Sequence, residues 1–202
     1  MPEKDQLRHA FKANRSMISL DARTQAAEGL SAYAPQILTA SNGGSIAVYA
    51  ASESLHELSL TPLAAALRAH GAELALPRLP APGALMQFAA WDGDRAGLLP
   101  GVFGVLQPPT SAPCIVPSLV LAPGVAFARE NGARLGMGGG YYDRALAALS
   151  PSPLVVGVGF AIQMTDRLPS EPHDVKCHAL LSEEGLLWIS MSSLSAPGPA
   201  AT

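Results

Sequence analysis

Ser45-Ile46-Ala47-Val48-Tyr49-Ala50, then residues 59–70, Gly71 and Glu73-Leu74-Ala75-Leu76-Pro77, form the stretch whose reading decides the fold. The first six residues are a short apolar run that suits a buried strand. Residues 59–70 carry apolar side chains at helical spacing and end at Gly71, a helix-closing glycine. The last segment is strand-like again. Strand, helix and strand in this order make a right-handed βαβ unit, and such units build parallel sheets covered by helices. The expectation is an α/β chain, a three-layer Rossmann-like domain with a mostly parallel sheet.

Segments on either side fit this frame. Residues 85–91 alternate like a strand, residues 115–122 read as a central strand ending at Pro123-Gly124, and residues 154–160 as another. Residues 179–181 and 186–189 suggest a terminal hairpin around Glu184-Gly185. Upstream, residues 3–18 read as a helix, with Leu7, Phe11 and Ile18 as its apolar stripe. Lys4, Arg8, Lys12 and Arg15 share a broad basic face of it, which is either a solvated surface or an arm that closes on polyphosphate. A second helix is expected over residues 22–38, with Asp21 as N-cap. Residues 92–113 and 161–177 form long loops, and long loops inside compact domains are often functional. Ligands of parallel sheets lie beyond the carboxyl ends of the strands, which collects residues 50–57, 123–140 and 160–174 on one rim. Residues 1–191 are expected to form a single domain, and residues 192–202, rich in Ser, Pro, Ala and Gly, a disordered tail.

Composition narrows the function classes. With 202 residues, 49% apolar and 14% charged, the chain can bury a substantial core. A net charge of −3 offers no global attraction to nucleic acid or anionic membranes, so neither is expected as a partner. Cys114 and Cys177 lie far apart without zinc spacing and read as ordinary thiols. The first residues, Met1-Pro2-Glu3-Lys4-Asp5, do not resemble a signal peptide, and no apolar run is long enough to span a bilayer. A cytoplasmic location is expected.

The stretch that carries chemistry is Arg134-Leu135-Gly136-Met137-Gly138-Gly139-Gly140-Tyr141-Tyr142-Asp143. Four glycines in five residues let the backbone adopt positive φ and press its N–H groups against a ligand. A helix follows at once, so unpaired N–H donors and the positive helix end gather at one spot, which suits phosphate. Arg134 can grip phosphate oxygens in bidentate fashion, and Asp143 in the first turn can hold Mg²⁺. The loop is neither a Walker A motif nor a dinucleotide fingerprint, and a glycine run can also be a plain flexible loop.

Several separate stretches together resemble the 5-formyltetrahydrofolate cyclo-ligase family. Lys4-x-x-Leu7-Arg8 is similar to the family's N-terminal motif, and residues 57–63 to its Glu-hydrophobic-x-Thr segment. Residues 121–127 precede Gly132-x-Arg134-Leu135-Gly136-x-Gly138-x-Gly140-Tyr141-Tyr142-Asp143-Arg144, its most specific signature. Gly157 to Phe160, Gln163, Leu168-Pro169, Glu171 and His173-Asp174 match its C-terminal pattern, so the resemblance covers roughly residues 4–183. It implies ATP- and Mg²⁺-dependent closure of 5-formyltetrahydrofolate, free or polyglutamylated, to 5,10-methenyltetrahydrofolate by a monomer. It assigns catalytic roles to Arg134 and Asp143. ATP would be bound by Lys4, Arg8, Arg134, Leu135, Gly136, Met137, Gly138, Gly139, Gly140, Tyr141 and Tyr142. Glu57, Tyr142, Trp91 and Phe88 would take the folate, with plain core burial an equal reading of Trp91 and Phe88, and Asp143 and Asp174 the metal. Met137 and Gly139 stand where some members carry basic residues, and the loop from Tyr49 to Glu57 is about two residues longer than the family's usual one. A non-catalytic binder of nucleotide or folate, and a sugar-phosphate isomerase of similar architecture, are the competing readings.

Overall fold

A computed structural model describes residues 2–190; the expected tail at residues 192–202 lies outside them. The chain opens with helix α1 (Pro2–Ser16). The expected second helix is divided into α2 (Leu20–Gly29), a 3₁₀ turn (Leu30–Tyr33) and α3 (Ala34–Ser41). Pro35 near the start of α3 has no N–H to continue an α-helix, which accounts for the division. The N-cap of α2 is Ser19 rather than Asp21: its hydroxyl accepts from the Ala22 N–H.

Strand β1 (Ile46–Ala47), helix α4 (Thr61–Ala69) and strand β2 (Leu74–Arg78) form the expected βαβ unit. Helix α4 ends in a Schellman motif: Gly71 takes φ +83°, its N–H reaches the Arg68 carbonyl, and the Ala72 N–H reaches that of Leu67. Then come β3 (Gln87–Trp91), the small hairpin β4 (Leu99–Pro100) and β5 (Leu106–Gln107), and β6 (Leu119–Pro123). Strand β6 starts four residues later than expected. Pro113 and Pro117 flank the preceding segment, which instead adds a bridge from Cys114 to Ala89. Next are β7 (Ala126–Ala128), β8 (Arg134–Leu135), α5 (Tyr141–Ala148), β9 (Leu154–Val158), β10 (Met164–Thr165), β11 (Ala179–Ser182) and β12 (Gly185–Trp188).

Seven strands make the main sheet in the order β12-β11-β9-β6-β1-β2-β3. The five central strands are parallel, and β3 and β12 pair antiparallel at the edges. Alternate side chains go to opposite faces, as the strand period of two demands. Ile46, Leu119, Leu121, Val156 and Val158 meet Leu30, Ile37, Leu63 and Leu67 on one face. Ala47, Val120, Ala122 and Val155 meet Ala145, Leu146 and Phe127 on the other. This is the three-layer α/β architecture expected from the sequence. Strands β7, β8 and β10 form a small second sheet on which Leu7 and Phe11 of α1 pack, beside Ala126, Leu135 and Leu168. Among the described residues no helix is long and apolar enough to cross a membrane.

Candidate active site

The chain proceeds from β1 to β2 on one side, while β6 pairs on the other side of β1. Diverging connections leave a crevice beyond the carboxyl ends of β1 and β6. A cavity of about 420 Å³ opens there, within the size range of small-molecule sites. Tyr49, Ala50, Ser52, Leu55 and Glu57 line it after β1, and Pro123 and Gly124 after β6. Arg134, Gly136, Met137, Gly139, Gly140, Tyr141, Tyr142 and Asp143 line it from the glycine loop and the first turn of α5. Leu79, Met86, Val102 and Val105 make the remaining wall apolar.

The glycine loop owes its shape to residues without side chains. Gly138 has φ +104° and Gly140 φ +62°, conformations that L-residues resist. Gly140 is the N-cap of α5, and no side chain caps that end. Arg8 reaches the loop from α1: its Nε donates to the Gly136 carbonyl at 2.9 Å, while its Nη1 pairs with Asp5 at 2.6 Å. A Cβ at Gly138 would stand 3.6 Å from the Arg8 Cζ, so the guanidinium lies directly against the loop. Arg144 braces the same loop by donating to the Gly139 carbonyl, with its guanidinium 5.0 Å from the Tyr141 ring centre.

Lys4, one turn before Arg8, is buried and turned toward residues 171–174. Its Nζ lies 2.9 Å from Asp174 Oδ2 and 3.2 Å from Glu171 Oε1. Burial disfavours both charges, yet the ion pair outweighs it: the Lys4 ammonium is held above its usual range and the Asp174 carboxyl below. Arg134 is buried too. It donates to Asp143 Oδ1 at 2.7 Å and to the Pro123 carbonyl at 3.4 Å, and lies 5.6 Å from the Tyr142 ring centre. The Val175 N–H also donates to Asp143. Cys177, behind this pair, is fully buried, and burial pushes its thiol up to about 11; it is a neutral packing group rather than a nucleophile.

Glu57 enters the cavity from the loop after β1. Its Oε2 accepts from the Ser52 N–H at 2.9 Å. Desolvation pushes its carboxyl upward, opposed by that N–H and by the charge of Arg15. Tyr49 and Tyr142 are recessed phenols pushed well upward, first by desolvation and then by the Glu57 charge, so they act as neutral donors. The Tyr49 hydroxyl donates to the Leu58 carbonyl, which fixes the loop carrying Glu57.

The sequence-predicted residues do not all converge. Phe88 is core, its ring edge-on to Tyr142 at 6.5 Å, and does not line the cavity. Trp91 borders a separate small pocket and donates to the Asp94 carbonyl. Neither ring lines the cavity: Phe88 packs behind the cavity-lining Tyr142 and Pro77, and Trp91 lies three residues further along β3. Asp174 belongs to a cluster with Glu171 and His173 and is held by Lys4, whereas Asp143 is held by Arg134. Of the three rim segments, residues 160–174 brace rather than line: Gln163 Nε2 donates to the Gly124 and Val125 carbonyls. Tyr49 is a site residue that the sequence reading did not assign; Arg15 was named only within the basic face and Arg144 only within the signature, neither with a role of its own. The i, i+7 spacing of Arg8 and Arg15 on α1 is the signal that places both on the inner face.

Fold and site together define an α/β protein with a composite small-molecule site, a glycine loop clamped by an N-terminal helix beside an apolar cavity. Comparison with known proteins gives the family. Residues 1–183 match the model of the 5-formyltetrahydrofolate cyclo-ligase family. The 5-formyltetrahydrofolate cyclo-ligase of Mycolicibacterium smegmatis is 31% identical over 207 aligned positions, covering 91% of this chain and 96% of the relative. That of Haemophilus influenzae is 26% identical, covering 89% and 97%. Among solved structures, the 5,10-methenyltetrahydrofolate synthetase of Aquifex aeolicus superposes with a TM-score of 0.77 at 26% identity, covering 98% of this chain and 96% of that one. The Mycoplasma pneumoniae synthetase, at 18% identity and TM-score 0.70, shares the fold, covering 90% and 99%. The chain belongs to the 5-formyltetrahydrofolate cyclo-ligase family and is an enzyme of the ligase class.

Proposed function

We propose that this enzyme converts 5-formyltetrahydrofolate and ATP to 5,10-methenyltetrahydrofolate, ADP and phosphate, with Mg²⁺ as cofactor. The observation that carries the reading is the junction of two unlike surfaces in one cavity. A backbone-rich glycine loop backed by Arg8 suits a polyphosphate, and an apolar wall with the recessed Glu57 carboxylate suits a flat heterocycle with a donor edge.

The chemistry asks for positioning more than for a protein nucleophile. The formyl oxygen attacks the γ-phosphorus, its P–O bond forms, and the bond to ADP breaks. The O-phosphorylated iminium carbon is then attacked by N10. Loss of phosphate and of the N10 proton leaves the methenyl bridge. Phosphorylation turns a poor leaving group into a good one, and such transfer depends on alignment and charge neutralisation. Glu57 would accept hydrogen bonds from the pterin amide and amine. Tyr142 would lie beside the ring. Arg8, Arg134 and the loop N–H groups would hold the phosphates, with Leu135, Met137 and Tyr141 shaping the loop. Lys4 would support this grip by anchoring α1.

The donor set fits a magnesium ion. Three of the basic side chains already have acidic partners: Lys4 with Asp174 and Glu171, Arg8 with Asp5, Arg134 with Asp143. A triphosphate therefore brings uncompensated charge. Mg²⁺ favours one or two carboxylates plus phosphate oxygens, and Asp143 offers such an oxygen at the cavity wall. When bound, the metal would neutralise charge developing on the transferring phosphoryl group. Asp174, held by Lys4 outside the cavity lining, is the less direct ligand.

The test is spectrophotometric. The methenyl product's near-ultraviolet band should grow when enzyme, 5-formyltetrahydrofolate and MgATP are mixed, and not when ATP is omitted. No band, or a band without ATP, overturns the proposal.

A further inference from the structure

We propose that Arg15 is a positioning residue for Glu57, supplying from beside Gly124 the positive charge that keeps this recessed carboxylate ready to receive the folate's donor edge. The inference rests on the reading of Glu57 as the folate-recognising group.

Arg15, in the last turn of α1, is 2% exposed. Its Nε is buried without a hydrogen-bond partner, and its Nη1 makes one long bond, 3.4 Å, to the Gly124 carbonyl. Among the described residues it forms no ion pair within bonding distance. A guanidinium so buried and so weakly satisfied is costly to the fold. Pinning Gly124 does not explain it, because Gln163 already donates to that carbonyl at 2.9 Å. What remains is its field. The Gly124 it reaches lines the same cavity as Glu57, with no ion pair between Arg15 and Glu57, and the Arg15 charge favours the Glu57 carboxylate.

The groups facing Glu57 are few. Tyr49 stands just beyond β1, Tyr142 on α5, and Arg15 on α1. Both phenols are neutral at working pH, and Arg134 and Asp143 of the same wall pair with each other, which leaves the Ser52 N–H and then the Arg15 charge to oppose desolvation of the carboxylate. A direct salt bridge would occupy the carboxylate oxygens. A cation held out of contact supports the anion while leaving Oε1 open to a ligand, with Oε2 anchored by Ser52. Helix α1 would then serve both substrates, Arg8 toward the phosphates and Arg15 toward the folate.

The test compares R15K, which keeps the charge, with R15Q, which removes it but keeps a polar side chain for Gly124. Steady-state kinetics of the full chain are followed from pH 5 to pH 9. R15Q should raise the KM for 5-formyltetrahydrofolate about tenfold and move the acid limb of its kcat/KM up by roughly one pH unit, because Glu57 then ionises less readily. The ATP KM should stay near the wild-type value, and R15K should stay close to wild type in both respects. In an E57Q background, R15Q should add less than about twofold. The inference is overturned if R15Q leaves the acid limb in place, or if it costs as much in the E57Q background as in the wild type. An E57Q enzyme with an unchanged folate KM refutes instead the reading of Glu57 itself.

Discussion

Replacing Lys4 by Met removes the cation that ties α1 to the loop at residues 171–174. The Lys4 side chain is 10% exposed, Asp174 15% and Glu171 32%. Removing one partner of a fully buried pair costs about 3–5 kcal/mol. Here Glu171 is partly solvated and Asp174 keeps the Glu171 N–H, so a loss of about 2–3 kcal/mol is expected. For a chain of this length, each kcal/mol lowers Tm by roughly 2–4 °C, giving a fall of roughly 5–10 °C at pH 7. The pH dependence follows from the directions of the two shifts. Asp174 has a depressed folded pKa, so its contribution is present above the unfolded carboxyl value of about 3.9 and is lost as pH falls through the folded value. Lys4 has a raised folded pKa, so its contribution is complete below the unfolded value of about 10.4 and is lost as pH rises through the folded one. The Tm difference between wild type and K4M should therefore be flat from about pH 6 to pH 9 and shrink toward pH 2. Thermal unfolding followed by circular dichroism measures it. A difference under about 1 °C at pH 7, or one as large at pH 2 as at pH 7, would refute the reasoning.

Two further substitutions probe the loop and the edge strand. Gly138→Val forces a β-branched residue to φ +104°, which should cost about 1–2 kcal/mol of stability and raise the ATP KM more than the folate KM; equal effects on both would detach the loop from nucleotide. Trp91→Leu removes a ring that lies outside the cavity lining, so both KM values should stay within about twofold of wild type, and a large rise in the folate KM alone would return Trp91 to the site.

The βαβ unit was legible because each part carries its own signal: an apolar run, a helix period closed by Gly71, and a second run. The three layers were legible because residues 119–122 and 154–158 are apolar without a break, as strands covered on both faces must be. The small sheet was missed. Asn131-Gly132 is a hairpin signal between β7 and β8, yet the glycine-rich setting masks it. The break near Leu30 was also missed, because apolar periodicity continues through the 3₁₀ turn while Pro35 alone marks the restart. At the site, the glycine loop was readable as residue types in pattern, whereas Glu57 came only from the family resemblance. Arg15 was not readable, since the local sequence treats it as one more base on an amphipathic face. Only the packing of α1 against the second sheet distinguishes the buried Lys4 and Arg15 from the half-buried Lys12. Phe88 and Trp91 had two equal readings, a ring contact or plain burial, and lie outside the cavity lining, Phe88 packed behind Tyr142 and Trp91 beside a separate pocket.

Transfer of oxygen from the formyl group tests the central claim most directly. With substrate labelled by ¹⁸O in the formyl group, each methenyl group formed with MgATP should release one inorganic phosphate carrying the label, read by mass spectrometry. Methenyl product accompanied by unlabelled phosphate would contradict phosphorylation of the formyl oxygen, and with it the proposed reason for bringing a triphosphate loop and a folate cavity together.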